Sequence, residues 1–304
     1  MIDDEYLSKN IRKIIILGHN GFVGTHLTNF FANRLEKVEV IGLSLPDFDL
    51  ARKKDLRKLG RLLSDEVVLI ICAAIKRQFG DTLEAFQKNI EILTNLCALL
   101  RDNPVRDVVY FSSAAVYGED VVHGTISEAT SICPTSFYGM AKYASECILT
   151  KTVHEHGCGN LIILRPTLIY GPGDLGETYG PVGFMKKALR KETITLWGDG
   201  NEYREFMYVD DVVHIINELI LSDYSGVLNV VAGRSYTFRD VIEEISRSAG
   251  VEIAVASKPR TKQKVDNHFD NSLLQRTLPA GHSFVTLEEG IKIETLVAPT
   301  KVVS

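Results

Sequence analysis

The chain has 304 residues, enough to bury a full core in one or two domains, and at 45% hydrophobic and 24% charged it has the composition of a soluble globular protein. Its 34 basic and 39 acidic residues leave a formal net charge of −5 with no long basic run, which argues against a nucleic-acid surface. The longest clean apolar run, Val67 to Ile75, is far too short to cross a bilayer, so no membrane partner is expected.

Five cysteines (Cys72, Cys97, Cys133, Cys147, Cys158) and eight histidines show no metal-ligand spacing. No metal is expected, and reduced, mostly structural thiols in a cytoplasmic protein are the simplest reading. The first residues, Met1-Ile2-Asp3-Asp4-Glu5, are acidic, unlike a secretory leader.

In chain order, Lys13–Leu17 is an apolar, β-branched run suited to a buried parallel strand. Gly18-His-Asn-Gly21-Phe-Val-Gly24 follows, and then apolar residues at helical spacing from Thr25 to Asn33. Strand, glycine turn and helix come in the order a dinucleotide site needs. Gly18 permits the tight turn, Gly21 lets the backbone approach a pyrophosphate, and Gly24 lets the helix pack close. The second strand, 38–43, ends at Ser44, where an acidic residue would hold a ribose 2′-hydroxyl. With no carboxylate there NADP(H) is permitted, and with Asn20 in the glycine loop no arginine demands it. The reading leans to NADP(H) and leaves NAD(H) open. Asp49 has two equal readings: a contact near the adenine, or a cap on the helix that starts near Arg52.

Further strands are expected at 67–74, 107–112, 161–165 and 227–231, alternating with helices, which predicts an α/β protein with a doubly wound parallel sheet of the Rossmann type. The polar, glycine-rich segment 173–205 is expected to cross into a smaller C-terminal substrate-binding lobe. Helices are predicted at Asp210 to Ser222, Thr237 to Ala249 and Thr286 to Leu296, and 257–272 reads as a basic loop or a substrate-facing edge. The tail from Ala298 is expected to fray. The expected division is a dinucleotide-binding domain over 10–172 and 206–232, and a substrate-binding lobe over 173–205 and 233–304.

Ser112-Ser113 sits at the C-terminal end of the strand Val108–Phe111, the edge where doubly wound sheets bind ligands. Tyr138 and Lys142 are four apart and share a helix face, with Pro134 and Ser136 as helix-start residues. Oxidising an alcohol removes a hydride from carbon and a proton from oxygen; reducing a ketone reverses both. A tyrosine of pKa about 10 is a poor base at neutral pH. A neighbouring ammonium and a cationic nicotinamide would favour its phenolate. Ser113 would hold the reacting oxygen. Trp197, a lone aromatic, reads as core in preference to a base-stacking residue, and Asp210-Asp211 reads as a cap on the following helix.

These residues resemble the extended short-chain dehydrogenase/reductase family, specifically its nucleotide-sugar epimerases, dehydratases and reductases. The resemblance runs from about Lys13 to Val231 and includes Phe111-Ser-Ser-Ala-Ala-Val-Tyr117-Gly118, Leu164-Arg-Pro-Thr-Leu-Ile-Tyr170-Gly171-Pro172 and Trp197-Gly-Asp-Gly-Asn-Glu-Tyr-Arg204-Glu-Phe-Met-Tyr-Val-Asp210-Asp211. It implies Ser113, Tyr138 and Lys142 as the catalytic set. The expected cofactor-binding residues are Gly18, Asn20, Gly21, Phe22, Val23, Gly24, Ser44, Asp49, Ala73, Ala74, Tyr138, Lys142 and Pro166. Lys76, Ala114 and Arg204 are expected at the substrate, Lys76 with a solvated loop as its equal alternative, and Arg204 as the match to an arginine that meets the diphosphate, its alternative being a rim arginine paired with Glu202 or Glu205. Asn89 matches an asparagine near the active site, its alternative being a helix-surface amide.

The departures narrow the activity. The 4,6-dehydratases carry an Asp-Glu pair where this chain has Ala114-Ala115, and elimination of water needs that second acid/base. The GDP-fucose synthase branch shares the Gly-His-x-Gly-x-x-Gly loop but has a cysteine at the place of Ala115. Leu168 replaces an asparagine near the substrate. What remains is a reductase of a 4-keto-6-deoxy nucleotide sugar, or a 4-epimerase that retains NAD. The implied partners are a nucleotide-diphosphate sugar and a second copy of the chain, a homodimer through the Tyr138 helix and its neighbour.

Overall fold

The computed structural model describes residues 2–77, 80–122, 124–156, 159–176 and 180–297. Its described elements begin with α1 (Ile2–Ser8), β1 (Lys13–Leu17), α2 (Phe22–Arg34), β2 (Glu39–Leu43), α3 (Lys53–Gly60) and β3 (Val67–Ile71). There follow α4 (Leu83–Asp102), β4 (Asp107–Phe111), β5 (Thr125–Ile126), α5 (Phe137–His156), β6 (Asn160–Pro166) and β7 (Leu168–Tyr170). The remainder is α6 (Pro181–Leu189), β8 (Ile194–Trp197), β9 (Tyr203–Tyr208), α7 (Val209–Leu221), β10 (Gly226–Val230), β11 (Ser235–Thr237), α8 (Phe238–Ala249), β12 (Val255–Lys258), β13 (His268–Phe269), α9 (Ser272–Thr277) and α10 (Leu287–Val297). The chain divides into two compact units: Met1–Glu119 with Ser131–Arg165 and Val213–Asn229, and Asp120–Thr130 with Pro166–Val212 and Val230–Ser304.

The first unit is built on a six-stranded sheet in the order β10-β6-β4-β3-β1-β2, in which β2–β1, β1–β3, β3–β4 and β4–β6 pair in parallel. β3 (Val-Val-Leu-Ile-Ile) and β4 (Asp-Val-Val-Tyr-Phe) are buried along their whole length, as strands covered on both faces must be. Leu93, Leu96, Cys97 and Leu100 of α4 and Leu149 and Val153 of α5 join one core cluster with these strands. The strand order reverses between β1 and β3, so the crevice for ligands falls at the carboxyl ends of those two strands. The expected α/β sheet is thus observed. Two details differ. β3 stops at Ile71 instead of running to Ala74: after Cys72 N–H closes on Leu17 C=O (2.9 Å) the backbone leaves the sheet. The acidic N-terminal segment forms α1, whose Tyr6 is fully buried and whose Asp3 carboxylate accepts from the backbone of Glu36 and Lys37.

The second unit holds a three-stranded sheet, β11-β9-β7, and the two-stranded pairs β8–β12 and β5–β13. Tyr170, Phe184, Phe206, Tyr208, Val241, Ile245 and Ile291 share its core. The helix expected from Thr237 starts with a capping box, Thr237 and Asp240 each satisfying the other's backbone, and ends at Gly250 in the left-handed region (φ 64°). The segment 173–205, read as a polar crossing, contains α6, β8 and the start of β9, and β12 and β13 occupy part of the basic stretch 257–272. Trp197 is not core: it closes β8 with 56% of its surface exposed. Asp211 lies inside the first turn of α7, and its carboxylate accepts from Val285 N–H (2.8 Å) in place of capping the helix. Burial raises its pKa to about 6.

Candidate active site

The glycine motif does what its spacing predicts for the backbone. Gly18 has φ +87°, and a Cβ there would lie 2.8 Å from Ala73 N; a Cβ on Gly24 would lie 2.2 Å from Gly18 O. β1, the start of α2 and the segment after β3 therefore meet at distances only glycine allows. Gly21 is the N-cap of α2 and supplies no side-chain hydrogen bond, so the first N–H groups of the helix, on Phe22, Val23 and Gly24, have no side-chain cap. A helix start of this kind suits an anion. Around it, Asn20 Nδ2 donates to Leu45 C=O (2.7 Å), and Ser44 Oγ is 2.8 Å from His19 Nδ1. Asp49 does not cap α3, whose N-cap is Arg52; its carboxylate accepts from Ala51 N–H (2.9 Å) and pairs with Arg52 (3.2 Å).

The segment carrying Ala73, Ala74 and Lys76 is pinned by Asn89. Its Oδ1 accepts from Ile75 N–H (2.8 Å) and its Nδ2 donates to Ile75 C=O (3.1 Å), so Asn89 is no surface amide. Arg77 pairs with Glu119. Asn89, Ala73 and Ala74 line a small cavity together with Tyr110, Lys142 and Ser145.

β4 ends at Phe111, and Ser113 opens a 3₁₀ turn, Ala114–Tyr117, by accepting from Ala115 N–H (3.1 Å). The same side chain lies close enough to the Tyr138 phenol to lower its pKa. Helix α5 is held at its start by Ser136, which accepts from Gly139 N–H (3.1 Å), and by Asp81, which accepts from Tyr138 N–H (3.0 Å). One turn on, Lys142 is 4% exposed; its ammonium donates to Phe111 C=O (2.5 Å) and lies 4.9 Å from the Tyr110 ring and 5.8 Å from the Tyr138 ring. The structure thus brings Ser113, Tyr138 and Lys142 together at the carboxyl edge of the sheet.

In the absence of a dinucleotide their electrostatics are set chiefly by burial. Burial raises the Tyr138 phenol to about 12, with the neighbouring Ser113 side chain opposing it. Burial also lowers Lys142 to about 8, against the pull of Cys72 and Glu146 toward the charged form.

Sequence reasoning missed the support behind this set. Glu146, one turn beyond Lys142, is 3% exposed; it accepts from Ser112 Oγ and takes a two-pronged pair from Arg165 (Nε 3.0 Å, Nη2 2.6 Å). Arg165 Nη1 donates to Tyr117 Oη (2.9 Å), which donates to Asn229 (2.8 Å). The available signal was a carboxylate at Lys142+4 on a buried helix face and an arginine in an apolar strand. Of the other expected residues, Pro166 is the buried last residue of β6. Arg204 belongs to the second unit, on β9, where it donates to Tyr203 C=O (2.8 Å) and Val265 C=O (2.7 Å) and lies 5.8 Å from the Phe238 ring. Among the described residues no group of His, Cys, Asp and Glu is arranged to hold a metal, and no helix is long and apolar enough to cross a membrane. Cys133 and Cys147 are exposed, not structural, and Cys158 lies outside the described residues.

Sheet order, glycine turn and hydroxyl/lysine cluster are those of a dinucleotide-dependent α/β enzyme. The chain belongs to the NAD dependent epimerase/dehydratase family, whose model it matches over residues 14–230. It is 28% identical to a Bacillus subtilis protein named as an uncharacterized UDP-glucose epimerase, YtcB, with 77% of this chain and 82% of that protein covered. In fold it resembles the UDP-glucose 4-epimerase of Thermotoga maritima, solved with UDP-glucose (TM-score 0.83, 23% identity, 93% and 97% of the two chains). It also resembles RMD of Pseudomonas aeruginosa, solved with NADPH (TM-score 0.79, 23% identity, 93% and 98%).

Proposed function

We propose that this chain reduces the ketone of a 4-keto-6-deoxy nucleotide sugar at the expense of NADPH. The observation that carries the reading is the grouping of Tyr138 with Lys142, buried one turn away and 5.8 Å from its ring, beside Ser113 at the end of β4 and with only alanines at 114 and 115. A proton donor is what ketone reduction requires. The glycine cradle and the α2 start without a side-chain cap fit a dinucleotide pyrophosphate. When bound, the dinucleotide supplies the hydride. Ser113 orients the carbonyl oxygen, Tyr138 Oη delivers the proton to it, and Lys142, near 8, is poised to replace that proton. Ala114 and Ala115 offer no further acid or base, which disfavours dehydration and 3,5-epimerisation. On this reading the first unit binds the dinucleotide and the second binds the nucleotide sugar, with Arg204 toward the diphosphate. A cytoplasmic homodimer remains the expected state.

A second reading, a 4-epimerase that retains NAD, is supported by the likeness to relatives named as UDP-glucose epimerases. The test is incubation with NADPH and a panel of 4-keto-6-deoxy nucleotide sugars. The reductase reading expects stoichiometric NADPH loss, removed by Tyr138→Phe while dinucleotide affinity is kept. NAD released on denaturation, with no net redox turnover on any sugar, would establish the epimerase instead.

A further inference from the structure

Ser113 stands in a short segment whose two ends are tied to one buried ion pair. At the first end, Ser112 N–H donates to Leu164 C=O of β6 (2.8 Å) and Ser112 Oγ donates to the Glu146 carboxylate. At the other end, the Tyr117 hydroxyl accepts from Arg165 Nη1 (2.9 Å) and donates to Asn229 Oδ1 of β10 (2.8 Å). The Tyr117 ring lies 5.0 Å from the same guanidinium. Arg165 closes the circuit by donating twice to Glu146 (3.0 and 2.6 Å). Ser112, Tyr117, Glu146, Arg165 and Asn229 are each at most 4% exposed. Between its ends the segment meets the catalytic helix directly: a Cβ on Gly139, next to Tyr138, would fall 2.6 Å from the Ala115 carbonyl oxygen.

We infer that this closed circuit is a positioning device for Ser113, with Tyr117 and Glu146 as positioning residues that act on turnover through the Ser113 hydroxyl. The inference rests on Ser113 holding the reacting oxygen, which the reductase and the epimerase readings both require. Ser113 Oγ accepts from Ala115 N–H (3.1 Å), so its place is set by the backbone of the turn. A single 3₁₀ turn has poor internal hydrogen-bond geometry and little stiffness of its own, so its pose follows from what holds its ends. Two apolar side chains of similar volume would fill the space of the ion pair without its desolvation cost. They would make no directional bond to Ser112 or Tyr117. Glu146 sits one turn beyond Lys142 on α5, so the carboxylate that holds Ser112 belongs to the same rigid helix as Tyr138 and Lys142. All three catalytic side chains are thereby referred to one frame. A misplacement of about 1 Å at a reacting group can cost on the order of 10²-fold in rate.

The test is a double-mutant cycle on the full-length protein, pairing Tyr117→Phe with Ser113→Ala. The readouts are kcat and KM for NADPH-dependent reduction of a 4-keto-6-deoxy nucleotide sugar, or for 4-epimerisation if that is the activity. Tyr117→Phe removes one hydroxyl and keeps the ring against Arg165. It should lower kcat by roughly tenfold and leave KM and dinucleotide affinity within about twofold. In the Ser113→Ala background the same change should cost less than about twofold, because no Ser113 hydroxyl remains to be misplaced. Ser112→Ala, which cuts the other end of the circuit, should repeat the pattern and carries the test should Tyr117→Phe fold poorly. Equal losses with and without Ser113 would mark a general structural role and overturn the inference while leaving the functional reading intact. So would a kcat within about twofold of wild type in both single variants. A wild-type chain that turns over no nucleotide sugar, by reduction or by epimerisation, would overturn the functional reading and the inference with it.

Discussion

Replacing Glu146 by glutamine should be among the most damaging isosteric changes in the first unit. The carboxylate takes both prongs of the Arg165 guanidinium and the Ser112 hydroxyl, with Glu146 3% and Arg165 4% exposed. The amide keeps the volume but leaves a buried guanidinium without its counter-charge. Breaking one side of a buried pair costs about 3–5 kcal/mol. For a chain of this size that is a fall in melting temperature of roughly 6–10 °C. Removing both charges, as in Glu146→Leu with Arg165→Met, should recover most of that loss, because no orphan charge remains. It still leaves Ser112 without its acceptor, so the double variant should be stable yet slow. The assays are urea unfolding and calorimetry of Glu146→Gln, of Glu146→Leu and Arg165→Met singly, and of that pair combined, with turnover measured on the folded fractions. A Glu146→Gln protein within about 1 kcal/mol of wild type, or a double variant no more stable than the singles, would refute the assignment.

Lys142 has a folded pKa near 8, below the value of about 10.5 for an unfolded lysine, so the native state holds fewer protons between them. Stability from this group is complete above about pH 10.5 and is lost as pH falls through 8. The gap between wild type and Lys142→Met should therefore change by up to about 3 kcal/mol between pH 7 and 10.5, and parallel curves would contradict it. Glu205 works in the opposite sense. Burial raises it to about 7 against hydrogen bonds from Phe269, Gly233, Ser235 and Arg234. Its stabilisation is present below about pH 4.5 and lost as pH rises through 7. Glu205→Gln should flatten that slope while lowering stability throughout, since an amide cannot accept from all of those donors; an unchanged slope in pH-dependent unfolding would count against this. Gly24→Ala should weaken dinucleotide binding by at least about tenfold because its Cβ would sit 2.2 Å from Gly18 O, and an unaltered dissociation constant on titration would show that the loop yields easily.

What the sequence revealed followed from how local each signal is. β1, β3, β4 and β6 announce themselves because a strand covered on both faces is apolar throughout. The pairing of Thr125-Ile126 with His268-Phe269 has no local signature: two residues find two others more than a hundred positions away. Trp197 misled for the same reason, since a lone aromatic carries no period to say which side of a strand it occupies. Ser113, Tyr138 and Lys142 were legible because one helix turn and one strand end bring them together. Glu146 with Arg165, and His19 with Ser44, were not, because each pairing joins separate elements and only packing decides it.

The direction of the Tyr138 shift was hidden by the same limit, and it bears on the reaction. A lysine four residues away suggests an ionised phenol if charge proximity is all that counts. In the folded chain burial acts on both groups, lifting the phenol to about 12 and lowering the lysine to about 8. Without a bound dinucleotide, burial therefore dominates at both groups. Oxidation of a carbinol needs the phenolate, and a 4-epimerase needs each form in turn within one catalytic cycle. Reduction of a ketone needs only the form that burial already favours, with a lysine near neutrality beside it to restore the proton. A cationic nicotinamide beside Tyr138 would pull against burial, so the balance between phenol and phenolate would follow the redox state of the bound dinucleotide.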